Sequence, residues 1–576
     1  MPWIKAKKEF VAAVKQALGR KTELSYGDLE VPPNPAMGDL CLPVFSLAKE
    51  MKKPPAQVAS ELALALAERT GGLFASFKAN GPYLNAFLNK EAFAALVMAE
   101  MASKKKKYGF APGRGKKILV EFVSPNTNKP LHLGHLRNGF LGHSLCEILL
   151  KQSNKVVRSI LYNDRGAHIM KSMLAYARYG VGDSPKKSSI KGDHFVGKYY
   201  VLFGEKAKKD PSLEEEAQKW LLRWERGDKK LMALWKKMNN WAESGFRETL
   251  ERLGIYFSRE ERESRLYKKG KKIIFAALKK GLLFKDENGN IAARLEQWKM
   301  PDKVLLRSDG TAVYATTDIA LAVSRWEKHK FDELIYVVGM EQDLHFKQLF
   351  KIFEILGFPF ASRCRHLSYN WVYLPEGRMK SREGRVVDAD ALLDELQELA
   401  LEEIRKRNDG LAREGDEARA EQIAQAALKF YLLEVDPGSD IHFNPSSAIA
   451  LTGRTGPYIQ YSYARISSIL RKAGSKNKFT CSKLGKLEIT GAEYRLFLLL
   501  GKYGSVIESG ERGLNPAGVA KYLYELAKAF SDFYETEPVL KAPPAAREKR
   551  LCLISRVRDV LASGLALLGI SALEEM

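Results

Sequence analysis

The sequence is poor in the features that mark membrane and secreted proteins. No stretch approaches the ~20 consecutive apolar residues needed to span a bilayer, which speaks against a membrane-spanning protein. The N-terminus, M-P-W-I-K-A-K-K-E-F, is charged too early to hold the apolar core of a secretory signal. Cysteine is scarce: Cys41, Cys146, Cys364, Cys481 and Cys552 are scattered, with no C-x-x-C pair. That argues against a disulfide framework and against a cysteine-based zinc site. Short-period repeats and long low-complexity tracts are also missing, so a solenoid is not expected. These absences point to a soluble, cytoplasmic protein. Acidic residues are in short supply, 69 against 93 basic ones, for a formal charge of +24. With 45% apolar residues the chain is globular rather than disordered. The charge excess therefore points to a polyanionic partner, nucleic acid first, unless it reflects only a basic proteome background. At 576 residues, three or four domains are expected.

Against this background one stretch stands out, E-F-V-S-P-N-T-N-K-P-L-H-L-G-H-L-R-N-G-F-L-G-H-S-L-C-E, from Glu121 to Glu147. Ile118 to Val123 is a short apolar run between two lysines and a Pro-Asn turn, the pattern of a buried strand. His132 to Leu150 carries apolar residues at helical spacing, with a glycine in the first turn. A strand, a polar loop and a helix N-terminus in that order aim backbone N–H groups and the helix dipole at an anion, typically phosphate. The glycine lets a phosphate or a flat ring approach the backbone. His132 and His135 can hydrogen-bond phosphate oxygens, in either the neutral or the charged form. The plainer alternative is a βα-unit whose histidines only cap a helix.

Along the chain, residues 1–105 read as a small α/β (α+β) module, with helical patterning at 4–18, 43–51 and 56–70 and a strand at 81–88. The lysine run at 104–107 marks its end. Residues 106–388 read as a parallel-sheet α/β domain, with further strands at 156–162 and 334–338. The loop N-D-R-G-A-H (Asn163 to His168) follows the second strand, where open sheets place ligand loops. A helical insertion is expected at about 175–300; its Trp220, Trp224, Trp235 and Trp241 either fill its core or offer a stacking platform. Residues 389–576 are helical almost throughout, an all-α bundle.

The motifs converge on a known family. H-L-G-H (His132 to His135) is similar to the H-I-G-H signature of class I aminoacyl-tRNA synthetases, and R-M-K-S-R (Arg378 to Arg382) stands where the second signature, K-M-S-K-S, belongs. Further matches are S-P-N-x-x-K-P from Ser124 to Pro130, Tyr314 four residues before Asp318, and E-Q-D-L-H (Glu341 to His345). With N-P-A-M-G-D near residue 35 and T-G-P-Y-I-Q-Y-S-Y-A-R ending at Arg465, they extend the resemblance from end to end and narrow it to the arginyl-tRNA synthetases. The resemblance implies a Rossmann-type catalytic domain, an N-terminal domain meeting the D-loop side of tRNA, and a C-terminal anticodon-binding bundle. It also implies ATP-dependent activation of L-arginine to arginyl-adenylate, then transfer to the 3′-terminal ribose of tRNA(Arg). Mg2+ accompanies ATP, no zinc and no membrane partner are expected, and a monomer is the default. The alternatives are a catalytically inactive tRNA-binding relative or a class I enzyme for another amino acid.

Site roles follow from the same resemblance. His132, Gly134 and His135 serve ATP and catalysis, with Lys129 and Lys380; His345, Arg378, Met379 and Ser381 complete the ATP site. Ser124, Asn126, Gln342 and His135 hold the backbone end of the amino acid. The other end must satisfy five N–H donors and a permanent charge. Asp318 offers a carboxylate for a bidentate fork, and Tyr314, one helical turn earlier, offers a ring wall. The alternative for this pair is a helix N-cap with a packed aromatic neighbour. Glu263 resembles a second acidic partner. Glu121 orients the α-amino group, braces Asn126, or is no more than a paired strand-end carboxylate. Tyr458, Gln460, Tyr461 and Arg465 are expected to meet unstacked anticodon bases, although at helical spacing half of such residues face the core. R-M-K-S-R departs from the signature, with arginine at the first lysine position and Ser381 at the second. In the family a lysine upstream of H-I-G-H is thought to compensate for a degenerate loop, and Lys129 stands there.

Overall fold

The computed structural model describes residues 1–19, 22–110, 115–374, 387–407, 413–474 and 488–576, and the backbone of 377–378. Its centre is a five-stranded, all-parallel sheet. The strands are β1 (Lys117–Glu121), β2 (Lys155–Tyr162), β3 (Arg259–Arg262), β4 (Glu333–Gly339) and β5 (Cys364–Tyr369), in the spatial order β5-β4-β1-β2-β3. The chain winds outward from β1 through β2 to β3, then returns to the other side of β1 for β4 and β5. The order therefore reverses between β1 and β4, and ligands of open α/β sheets bind at the carboxyl ends of strands at such a switch point. Alternation along β1 fills both faces. Ile118 and Val120 join one apolar cluster and Leu119 the other, as the two-residue strand period requires.

The helix α1 (Leu133–Lys151) crosses from β1 to β2 and is buried along most of its length. Gly142 permits its close approach to the sheet, because a Cβ there would meet the Phe122 ring at 2.3 Å. The expected strand end at Val123 falls two residues late. β1 stops at Glu121 because Val123 takes a φ of 70°, incompatible with a continuing ladder. Between β2 and β3 lie the helices Ala167–Tyr179, Gly192–Lys209, Ser212–Glu225 and Lys229–Arg252. Trp224 is buried and packs on Trp235 with ring centroids 5.3 Å apart, and Trp235 donates its indole N–H to the Asp164 carbonyl at 2.7 Å. Packing is thus the use the fold makes of both residues.

Two further helices complete the frame of the site, α2 (Tyr314–His329) before β4 and α3 (Asp343–Ile355) after it. The N-terminal module has an antiparallel sheet of Leu40–Pro43, Tyr83–Leu88 and Phe74–Asn80, covered by helices that include Pro2–Leu18 and Pro55–Leu66. The C-terminal part is a bundle of long helices, among them α4 (Gly456–Lys472) and Gly491–Gly513. The bundle seats on α1, where Ser144 Oγ donates to the Leu567 carbonyl at 2.7 Å and Lys151 Nζ to Ser563 Oγ at 2.8 Å. No described helix is long and apolar enough to cross a membrane.

Candidate active site

At the switch point the chain leaving β1 is held in an unusual shape. Val123 and Ser124 take φ values of 70° and 39°, left-handed angles that strain a β-branched valine. The surroundings enforce them. Asn138 on α1 accepts the Val123 amide at 2.5 Å and donates to the Val337 carbonyl at the end of β4 at 2.7 Å. Its Nδ2 also lies 3.0 Å from the Tyr369 hydroxyl on β5. One amide thus joins three strand ends. Beside it opens a cavity of about 380 Å³ whose wall includes Ser124, Lys129, His132, Gly134, His135 and Glu341.

The two histidines both cap α1 and face this cavity. His132 Nδ1 accepts the Gly134 amide at 3.2 Å, and His135 Nδ1 accepts the His132 amide at 3.1 Å. A ring nitrogen that accepts carries no proton, so each neutral imidazole keeps its N–H at Nε2. Burial, with Lys129 adding to it, lowers His132 to about 3, and burial holds His135 well below the ordinary imidazole value. Both are therefore neutral N–H donors at physiological pH. The capping and anion-binding readings of H-L-G-H are compatible, because capping uses Nδ1 of each ring and not Nε2. Lys129 supplies the positive charge, and burial lowers its pKa as well.

A second constellation lies beyond Ser124. Glu121 is buried and accepts Arg325 Nη1 at 2.5 Å and the Ser124 hydroxyl at 3.1 Å. It is a paired strand-end carboxylate, and the residue it braces is Ser124. Asn126 bridges to Asn163, laying the loop after β1 against the loop after β2. Tyr314 is 60% exposed at the start of α2. Asp318, one turn on, accepts His345 Nε2–H at 2.8 Å. Glu263, only 3% exposed, lies 3.5 Å from Thr317 Oγ1 and 3.9 Å from Arg165 through Oε1. Its Oε2 is buried with no hydrogen-bond partner among the described residues. Burial lifts Glu263 to about 8 against the pull of Arg165, and Asp164 and Asp318 push it the same way. Glu263 thus lies within electrostatic reach of both Asp318 and Tyr314.

His345, expected at ATP, stands on α3 beside α2 and donates from Nε2 to Asp318. Gln460 was expected at tRNA, yet it is 0% exposed and donates to the Ser571 carbonyl at 2.8 Å, a packing residue of the bundle. Tyr458, Tyr461 and Arg465 are half-buried on α4, and the Arg465 guanidinium lies 5.1 Å from the Tyr461 ring centroid. Gln342 is exposed just before α3. Arg378 lies in the two-residue strand Gly377–Arg378, while Met379, Lys380 and Ser381 fall outside the described residues. Sequence reasoning did not single out Asn138 or Arg325, and it gave no individual role to the last residue of the Asn163–His168 loop, His168. The last is pushed down to about 4 by burial and the nearby Lys129, and its buried Nε2 has no partner among the described residues. The described acid–histidine group able to hold a metal is Asp193, His194 and Asp390. Lys191 Nζ sits within it, 2.6 Å from Asp390 and 3.4 Å from Asp193, supplying the positive charge itself.

Residues 97–444 match the family described as "tRNA synthetases class I (R), catalytic domain". The chain belongs to the arginyl-tRNA synthetases. Residues 5–88 match the arginyl tRNA synthetase N-terminal domain and residues 459–576 the DALR anticodon-binding domain. The chain is 45% identical over 560 residues to the arginine–tRNA ligase of Treponema denticola, covering 95% of each protein. It is 37% identical over 589 residues to that of Parabacteroides distasonis, covering 98% of each. Among solved structures it resembles the Thermus thermophilus arginyl-tRNA synthetase, with a TM-score of 0.82 at 28% identity, covering 99% of this chain and 100% of that one. The architecture of this arginyl-tRNA synthetase is thus a parallel-sheet catalytic domain between a small α/β domain and a helical anticodon-binding domain.

Proposed function

We propose that this chain activates L-arginine with ATP and transfers the arginyl group to the 3′-terminal ribose of tRNA(Arg). The reading of the substrate rests on Glu263, whose buried Oε2 has no hydrogen-bond partner among the described residues and whose carboxyl interacts electrostatically with Asp318 and Tyr314. A guanidinium supplies the missing donors and a charge that two carboxylates share, whereas the single ammonium of lysine does not span such a fork. Ser124, Asn126 and Gln342 hold the α-amino and carboxyl end, leaving the carboxylate at the mouth of the cavity beside α1. There it attacks the α-phosphate of ATP; the bond to the β-phosphate breaks and pyrophosphate leaves. The ribose hydroxyl then attacks the arginyl carbonyl and AMP departs. No covalent enzyme intermediate is needed, so the protein acts by positioning and by charge stabilisation.

The Nε2–H groups of His132 and His135 donate to phosphate and ribose oxygens as charge develops, and Lys129 neutralises the departing phosphates. Mg2+ arrives with ATP, held through phosphates and water. Lys380, Arg378, Met379 and Ser381, from the second signature, serve ATP. Tyr458, Tyr461 and Arg465 meet the anticodon stem-loop. Residues 1–105, 106–388 and 389–576 act as the D-loop-side, catalytic and anticodon-binding domains of a cytoplasmic monomer without zinc. Arginine-dependent pyrophosphate exchange, with and without tRNA, tests the reading. Exchange with arginine alone among the amino acids is expected, and silence under both conditions refutes it.

A further inference from the structure

We propose that Arg325 sets the length of the amino acid that this enzyme accepts, by fixing the helix that carries Asp318 at a set distance from Ser124. The proposal rests on the arginine pocket assigned above. Asp318 and Arg325 lie seven residues apart on α2, two turns along one face. Arg325 is fully buried and acts as a three-way tie. Nη1 donates to Glu121 at 2.5 Å, Nε and Nη2 donate to Glu261 at 2.9 and 2.5 Å, and Nη2 donates to Ser159 Oγ at 3.1 Å. These acceptors sit on β1, β3 and β2, so a single guanidinium docks α2 on three adjacent strands.

The Glu121 arm continues into the site. Its carboxylate accepts the Ser124 hydroxyl at 3.1 Å, and the same Ser124 oxygen accepts the Leu161 amide at 3.2 Å. Ser124 cannot drift independently, because its left-handed φ and that of Val123 are held by the Asn138 staple. The two ends of the substrate thus meet groups joined by one path: Asp318, α2, Arg325, Glu121, Ser124. Burial opposes the charge on Arg325, but Glu121 and Glu261 outweigh it and hold its pKa above the ordinary guanidinium value, so the tie stays charged. A pocket bounded at both ends by fixed groups selects chain length. If α2 slides along the sheet, a longer substrate gains what the natural one loses.

Full-length wild type and Arg325→Lys are compared in tRNA-dependent aminoacylation with arginine, its homologue one methylene longer and its homologue one methylene shorter. Lysine keeps the charge but cannot serve three acceptors from one plane. The variant is expected to lose on the order of 100-fold in kcat/KM for arginine. Its preference for arginine over the longer homologue should fall about tenfold, the scale on which one methylene is discriminated, while KM for ATP is unchanged. An equal loss for all three substrates overturns the proposal, since a merely structural role lowers them together. If Arg325→Lys does not give native circular dichroism, Ser159→Ala replaces it, with the selectivity shift expected in the same direction and an unchanged ratio again overturning the proposal. Asp318→Asn separates the two layers. An unaltered arginine KM there refutes the pocket itself, whereas a raised KM with an unchanged ratio in Arg325→Lys refutes only the role of Arg325.

Discussion

Arginine binding should release close to one proton at neutral pH, and Glu263 is the source. In the unliganded protein burial raises this carboxyl to about 8, and its Oε2 has no donor. A guanidinium entering beside Asp318 brings N–H donors and a positive charge, both of which favour the carboxylate. Glu263 therefore ionises as arginine binds. At pH 7, one unit below the raised value, about one-tenth of the free protein holds Glu263 ionised, and removing the proton costs about 1.4 kcal/mol. At pH 6 the cost doubles. The dissociation constant for arginine should therefore fall about tenfold from pH 6 to 7, fall less from 7 to 8, and level off above the raised pKa of Glu263.

Titration calorimetry in buffers of different ionisation enthalpy reads the proton directly, with about 0.9 expected at pH 7. Glu263→Gln should bind arginine more weakly, with no pH dependence over this range and no linked proton. A wild-type affinity that is flat from pH 6 to 8, with a buffer-independent heat, refutes the placement of Glu263 against the guanidinium. The same shift has a stability sign. A carboxyl raised from 4.5 to about 8 contributes stability that is present below pH 4.5 and lost as pH rises through 8. Melting temperature should therefore fall over this window in the free protein, and saturating arginine should flatten the decline.

Asp318→Ala should raise the arginine dissociation constant about 100-fold, the loss of a charge-assisted pair worth ~3 kcal/mol, with ATP affinity unchanged by fluorescence titration. Hydrogen bonds that His194 donates to Asp193 and Asp388 raise it to about 10 against burial, so its contribution to stability is present below pH 6.5 and is lost as pH rises to 10. Thermal melts of wild type should fall toward the His194→Gln curve across that window, and parallel curves remove the ion pair from the account. Arg465→Ala should weaken tRNA binding about tenfold at low salt and reduce the salt slope by about one in filter binding. Gln460→Ala should lower the melting temperature and leave that slope unchanged, because its side chain is enclosed in the bundle.

The elements that were legible in the sequence are those whose burial leaves a period. β1, β2 and α1 carry apolar residues at two-residue or helical spacing because both sheet faces are covered. β3 is different. Its four residues, R-E-E-R, fall inside the helical insertion expected at about 175–300, yet they pair in parallel with Ser159 to Tyr162. It is an edge strand, and its charges are spent on specific partners: Glu261 on Arg325, Arg262 on Glu243 and Glu260 on Arg247. Charge on an edge also blocks further pairing, so the feature that hides the strand from periodicity protects it. The site shows the same division. Tyr314 and Asp318 could be paired in the sequence because one turn of α2 separates them. The partner of Glu121 could not, because Arg325 is 204 residues away and only the sheet brings them together. The contact between His345 and Asp318 was hidden for the same reason, since it depends on how α3 packs against α2.

Arg137 explains why the cavity beside α1 and the C-terminal part of the chain form one unit. It is fully buried, two residues beyond His135 on α1, and its guanidinium donates to carbonyls rather than to a carboxylate. The acceptors are Asn370 and Trp371 after β5, at 2.6 and 3.1 Å, and Asp436, Pro437 and Ser439 before the bundle, at 3.3, 3.3 and 2.9 Å. Burial without a paired anion costs it proton affinity, and its pKa falls to about 10, still high enough to keep the charge at neutral pH. A carboxylate partner would satisfy the charge at one point. Five carbonyls instead order two backbone segments around a single donor set, so neither can shift without breaking several charge-assisted bonds. Trp371 and Val372, in and beside the first segment, line the cavity beside α1, and the second segment lies within the C-terminal helical part. Arg137 therefore joins the cavity wall to that part through backbone carbonyls on both sides, two residues from the His135 that caps α1.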